Sequence, residues 1–187
     1  MSGLSDYELL RAIYRCIDFE RLVGEHGEGV RARADELFKR LASQLAPLGA
    51  PGASGVYVMN VDGASRRNPG PAAVGIVIRD NHGNLIDQIG ECIGVATNNE
   101  AEYRGMLRAA QRAVELGAKQ VHFCVDSELL AKQMRGEYRV KARPLVALHI
   151  ELRRLLSNIP KWNIQHVPRE ENAEADALAN AALDRAV

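Results

Sequence analysis

Hydrophobic and polar positions change period several times along the chain, and each change marks an element. Val56-Tyr57-Val58-Met59-Asn60-Val61 is β-branched, aromatic and apolar, as in a buried strand. It leads into Asp62 and then into Gly63-Ala64-Ser65 and Asn68-Pro69-Gly70-Pro71, so the strand is expected to end at Asp62 with a tight loop after it. Ala72–Arg79 and Gly83–Gly94 read as two more strands joined at Asn81-His82-Gly83-Asn84, an antiparallel meander. Thr97-Asn98-Asn99 opens a helix with apolar positions at Ala101, Met106, Leu107, Ala110, Ala113, Val114 and Leu116, and Gly117 stops it. Gln120–Val125 is an apolar strand ending at Asp126. Ser127–Met134 and Pro144–Leu156 read as helices around a loop at Gly136–Lys141. Trp162–Val167 is the last strand and Glu171–Arg185 an Ala/Leu-rich helix. Three strands, then helix, strand, helices, strand and helix predict an α/β fold, a five-stranded mixed sheet with helices on its faces.

Upstream the period is helical. A stripe at Leu10, Ile13, Tyr14, Ile17 and Leu22 predicts a helix over residues 4–23, with Ser5 and Glu8 as a capping box. Gly24-Glu25-His26-Gly27-Glu28-Gly29 breaks it, and a second stripe runs through Val30, Ala34, Leu37, Phe38, Leu41 and Leu45. The expected organisation is a helical hairpin appendage over 1–46, a small-residue linker over 47–55 and a main domain over 56–187. Two helices alone bury little surface, so the hairpin is expected to pack on the main domain, on a second copy or on a partner.

Composition narrows the function. The 187 residues carry 24 basic and 24 acidic side chains, so no overall field draws in a polyanion, and nucleic-acid binding would need locally placed basic groups or bound cations. Cys16, Cys92 and Cys124 are too few and too scattered for a disulfide framework or a zinc site, and Cys16 and Cys124 are expected to be buried thiols. No charged-then-apolar leader and no apolar run near 18 residues is present, so a cytoplasmic protein without a membrane partner is expected.

The acidic residues carry the candidate chemistry. Asp62 and Asp126 each end a strand, and strands flanking a crossover helix lie side by side, bringing their carboxyl ends together where open α/β sheets place their sites. Glu102 lies in the first turn of the intervening helix, and Asp176 in the second turn of the last one, amid alanines that allow close approach to the sheet. Taken singly, Asp62 suits a loop cap, and Glu102 or Asp176 a solvated helix-start charge. Four carboxylates at one sheet end cannot all stay ionised without cations. Their hard oxygens suit Mg²⁺ or Mn²⁺, and a pair of such ions about 3.5–4 Å apart serves in-line displacement at phosphorus.

Asp62-Gly63-Ala64-Ser65 with Asn68-Pro69-Gly70-Pro71, Thr97-Asn98-Asn99-Glu100-Ala101-Glu102, Val125-Asp126-Ser127 and Asn172-Ala173-Glu174-Ala175-Asp176 resemble, in order and spacing, the signature blocks of the ribonuclease H type 1 family. The resemblance covers residues 56–187 and implies that family's fold. It implies Asp62, Glu102, Asp126 and Asp176 as the catalytic and metal-binding set, with two Mg²⁺ (or Mn²⁺) ions per site. It also implies an RNA–DNA hybrid as partner, cleaved in its RNA strand to 5′-phosphate and 3′-hydroxyl ends. Gly63, Ala64, Ser65, Asn68, Thr97, Asn98, Asn99 and Ser127 are the expected substrate-binding residues. Gly63 and the Asn68-Pro69-Gly70 turn would let backbone approach the ligand, the amides and Ser127 would read the 2′-hydroxyl and minor groove, and Thr97 with the helix-start amides would hold a phosphate. As structural roles, Asn98 or Asn99 suits an N-cap and Asn68-Pro69-Gly70 a plain turn.

Departures from the family pattern set further expectations. Arg135-Gly136-Glu137-Tyr138-Arg139-Val140-Lys141 is short where many relatives carry a basic helical protrusion, which predicts weak, poorly processive binding. Pro168-Arg169-Glu170-Glu171 lacks the His that those relatives carry before the last helix, and His166 is expected on the strand instead, which lowers expected turnover. The alternatives are a nuclease of the same fold acting on another duplex, a non-catalytic hybrid-binding module, and self-association through the hairpin.

Overall fold

The computed structural model describes residues 9–10, 13–14, 16–27, 29–45 and 54–185. The chain divides into two units, Met1–Ala53 and Ser54–Val187. In the first unit the helix expected over 4–23 is interrupted: residues 13–14 are helical, the chain turns at Cys16, and α1 restarts at Phe19–His26. The restart follows from Asp18, whose side chain accepts from the Arg21 amide at 3.0 Å as an N-cap. Gly24 is tolerated inside α1, which ends at Gly27 rather than at Gly24. α2 spans Gly29–Leu45. Tyr14 packs on Phe38 at 4.1 Å and edge-on to Phe19 at 5.4 Å, so aromatic rings hold the described part of this unit together. No described residue of the unit is buried, and Cys16 is exposed rather than a buried thiol. The Ser5–Glu8 capping box and most of the 47–55 linker lie outside the described residues.

The second unit holds β1 (Val56–Ser65), β2 (Gly70–Asp80) and β3 (Leu85–Ala96), then α3 (Asn98–Glu115) and β4 (Gln120–Val125). It continues with α4 (Glu128–Met134), α5 (Arg143–Leu156), β5 (Lys161–His166), a 3₁₀ turn (Arg169–Asn172) and α6 (Ala173–Arg185). The sheet order is β3-β2-β1-β4-β5, antiparallel across β1, β2 and β3 and parallel across β1, β4 and β5. The five strands and the mixed sheet are as the sequence predicts. No described helix is long and apolar enough to cross a membrane.

Two boundaries differ in ways that matter. β1 does not stop at Asp62: it stays paired with β2 through Ser65↔Ala72, whereas its parallel pairing with β4 ends at Val61↔Val125. Asp62 is therefore a strand residue paired with Gly75 at the point where the sheet divides. The last helix begins at Ala173, with residues 169–172 as a 3₁₀ turn, so Asp176 lies in the first turn of α6 rather than the second.

Successive strand residues face opposite sides of a sheet, so Gly63 faces one side while Asp62 and its partner Gly75 face the other. The main core fills the Gly63 side, where Met59, Val61, Ile76 and Phe123 meet Tyr103 and Met106 of α3 and Leu152 of α5. Tyr103, absent from the predicted apolar face, is one of the largest fully buried side chains. The Asp62 side is thinner, with Ala73 against Ala182 and Leu183 of α6. A Cβ added at Gly63 would overlap the Ala101 carbonyl and the Glu102 amide of α3, and one at Gly75 would overlap the Ala175 carbonyl of α6. These two glycines set how deeply the carboxylate-bearing helices seat on the sheet. Gly63 thus serves helix packing, a role the sequence did not signal.

Gly63→Ala and Gly75→Ala should each cost about 3 kcal/mol or more, the upper range for overpacked cores. Denaturant unfolding measures this, with Gly29→Ala, which meets nothing within 4 Å, as the tolerated comparison.

Candidate active site

Asp62 is positioned by the division of the sheet. Beyond Val61 no β4 residue pairs with β1, and the Val61 carbonyl is taken instead by the Asn172 side chain, which donates to it at 2.9 Å. The Asn172 side-chain Oδ1 accepts from Asn60 Nδ2 at 3.2 Å, and Asn60 Nδ2 also reaches the Glu171 backbone carbonyl at 3.1 Å. Asn172 is 1% exposed, so its hydrogen bonds replace water that cannot reach these groups. It fixes the start of α6 to the central strand beside Asp62. Asn172 was part of the resemblance, but its positioning role was not read from the sequence. A polar side chain directly before a helix was the available signal, and it reads as an N-cap.

Three of the four predicted carboxylates converge. Asp62 on β1, Glu102 on α3 and Asp126 after β4 each offer an oxygen, all within 4.8 Å of one another. Asp62 and Glu102 are buried and Asp126 is half-buried. Asp176 lies beside this group, not in it. Its Oδ1 accepts from Arg169 at 2.7 Å and its Oδ2 from Asn180 at 3.2 Å, yet its charge still reaches Asp62. Arg169 comes from the shortened loop that lacks a His, and it is largely exposed. His166 ends β5, exposed, with its charge felt by Glu128.

Burial and crowding favour the protonated forms of Asp62 and Glu102. Desolvation first, then the charges of Asp126 and Asp176, push Asp62 up to about 6, against the Gly63 amide and the Arg169 charge, which pull it down. Desolvation and the Asp62 and Asp126 charges push Glu102 up to about 9. The donor set is all hard oxygen, and among the described residues the Gly63 amide and Arg169 relieve its repulsion only in part. It suits a divalent cation, which would take up the charge that burial disfavours.

The expected substrate residues divide into those engaged within the fold and those left open. Thr97 caps α3: its hydroxyl donates to Glu100 Oε2 at 2.8 Å and accepts from the Glu100 amide at 3.3 Å, a closed capping box rather than a free phosphate donor. Asn68 Oδ1 accepts from the Asn98 amide at 3.1 Å, tying the β1–β2 turn to the helix start. The Ser65 hydroxyl lies against the carbonyls of Arg67 and Ala96. Ser127 caps α4 by accepting from the Leu130 amide. Gly63 is buried and Ala64 half-buried in β1. Asn98 and Asn99 stand exposed one turn ahead of Glu102. Cys124 is only half-buried, and burial together with Glu171 raises its thiol.

The raised carboxyls predict a pH signature without added metal. Folded Asp62 and Glu102 retain protons that the unfolded chain releases near pH 4, so folding stability falls as pH climbs from about 4 through about 6 and on toward 9. Thermal melts in chelator should show this decline. Glu102→Gln should flatten its upper part, and Mg²⁺ should raise the melting point of the unmodified chain more at pH 8 than at pH 5.

Comparison with known proteins agrees with this geometry. The protein-family model described as reverse transcriptase-like matches residues 60–182. The chain is 44% identical over 125 residues to ribonuclease HI of Halobacterium salinarum, covering 67% of this chain and 63% of that protein. It spans 36% of a similar bifunctional protein of Mycobacterium tuberculosis, so it covers less than two thirds of the length of these curated relatives. The crystal structure of the Halobacterium salinarum RNase H1 superposes with a TM-score of 0.68 at 42% identity, covering 70% of this chain and 98% of that one. LC11-RNase H1, isolated from compost and solved in complex with an RNA/DNA hybrid, gives 0.66 at 36% identity, with 70% and 98% covered. With fold, carboxylate set and sequence in accord over the second unit, the chain belongs to the type 1 ribonuclease H family.

Proposed function

We propose that the chain is an endoribonuclease that cuts the RNA strand of RNA–DNA hybrids, leaving 5′-phosphate and 3′-hydroxyl ends. The observation that carries this reading is the meeting of Asp62, Glu102 and Asp126 from three separate elements at the division of the sheet, with Asp176 alongside. Asp62, Glu102, Asp126 and Asp176 would hold two Mg²⁺ (or Mn²⁺) ions. Such a pair, when bound, supplies an activated water and stabilises the leaving oxygen.

The chain's own part is to hold these oxygens in place and to present the duplex. Gly63 and Gly75 seat the two helices, and Asn172 pins α6 to β1, so the carboxylates keep their spacing whichever strand is bound. Asp126 and Asp176, partly exposed, stay reachable from solvent, while Asp62 and Glu102 sit behind them. Asn98 and Asn99 offer neutral donors and acceptors to the minor groove and the 2′-hydroxyl, the group that separates RNA from DNA. The hybrid bound by LC11-RNase H1 supports the same substrate here. Chemistry belongs to residues 56–187, and the 1–46 hairpin has no part in cleavage.

Purified protein with Mg²⁺ or Mn²⁺ should cleave a labelled RNA–DNA hybrid and leave double-stranded DNA and double-stranded RNA intact. Asp126→Asn should lower the rate by about 100-fold or more, since the ion site carries several kcal/mol of charge stabilisation. Hybrid binding without cleavage in either metal would instead identify a binding module. A second expectation concerns the hairpin: removing residues 1–53 should leave kcat within about twofold, near 0.4 kcal/mol, read by the same assay beside a melting curve.

A further inference from the structure

The turn between β1 and β2 carries two adjacent arginines with different fates. The Arg66 guanidinium is ion-paired with Asp184 of α6, and its amide donates to the Pro71 carbonyl at 2.9 Å. Arg67 is exposed, and among the described residues its guanidinium has no hydrogen bond or ion pair. Its backbone is nevertheless held. The Ser65 hydroxyl lies against its carbonyl, and the next residue, Asn68, accepts from the Asn98 amide. Asn98 begins α3 four residues before Glu102, a separation of roughly 6 Å along the helix. A cation with a fixed base therefore stands on the rim of the acidic site.

That placement answers a physical need. The chain has no net charge and its site is a cluster of carboxylates, so a polyanion is repelled unless cations sit close by. Arg139, Lys141 and Arg143, also without ion pairs among the described residues, lie on the segment entering α5, a separate element from this turn. A guanidinium fork matches a phosphate's oxygens better than any neutral group on the rim. We infer that Arg67 clamps a backbone phosphate of the bound hybrid and so supplies affinity at the edge of the cleavage site. This rests on the hybrid-cleaving reading above.

The test is steady-state cleavage of a hybrid by the full chain across 50–200 mM salt. Arg67→Ala should raise KM several-fold with kcat unchanged, and make the plot of log kcat/KM against log salt shallower by about 0.9, one phosphate's share. The gap between the two proteins should then narrow about 3–4-fold over that range. Arg67→Gln should behave as Arg67→Ala, and Arg67→Lys should keep the slope. Arg154→Ala, a distant exposed arginine on α5, should also keep it. An unchanged slope in Arg67→Ala, or an equal loss in Arg154→Ala, overturns the assignment. Failure of the unmodified chain to cleave hybrid overturns the underlying reading instead.

Discussion

Three carboxylates with oxygens inside 4.8 Å repel one another, and the second unit has to hold them against that repulsion. No single element does so. β1 supplies Asp62 from within a ladder that stays paired on one side and opens on the other. α3 brings Glu102 from one face because Gly63 lets the backbone at Ala101 and Glu102, just past the first turn, lie directly on the strand. α6 brings Asp176 from the opposite face because Gly75 does the same, with the Ala179 amide only 2.7 Å from where a Cβ would be. The protein accepts a strained charge arrangement at its centre and restrains it with backbone-to-backbone packing, which deforms less readily than long side chains.

Much of this was legible in the sequence. Strand and helix identities followed from period and turn residues, and the five strands lie where the alternation placed them. Asp62, Glu102 and Asp126 were readable because each stood at a boundary between an apolar run and a polar one. What was not legible depended on partners distant in sequence. Nothing near Gly63 signals that its missing side chain makes room for Ala101 and Glu102, so it looked like a loop glycine. Nothing near Val61 signals that its carbonyl is met by a residue more than a hundred positions later. Thr97 reads as a ligand donor, and the structure adds a capping box with the glutamate three residues on, which both receives its hydroxyl hydrogen and donates an amide to its oxygen. In the first unit, Asp18 restarted a helix that apolar spacing alone ran straight through.

The departures from the wider family pattern are structural as well as sequential. The loop before α6 is a single 3₁₀ turn, and it presents Arg169, not an imidazole, to Asp176. The segment from Arg135 to Lys141 is likewise brief, and Arg135 is occupied by Glu137. The rim that remains is mostly neutral amide and hydroxyl, much of it already engaged in capping.

The hydrogen bonds of Asn172 bear on the order in which the carboxylate site is completed during synthesis. The strand bearing Asp62 emerges from the ribosome before Glu102 and Asp126, and the Asn172 side chain that closes the gap beside Val61 follows all three. A nascent chain that stops short of the final helix has an unsatisfied carbonyl at its most crowded spot and nothing bracing the central strand from below. Synthesis therefore leaves the carboxylate site unbraced until α6 arrives, so a growing polypeptide carries Asp62, Glu102 and Asp126 before the scaffold that fixes their spacing.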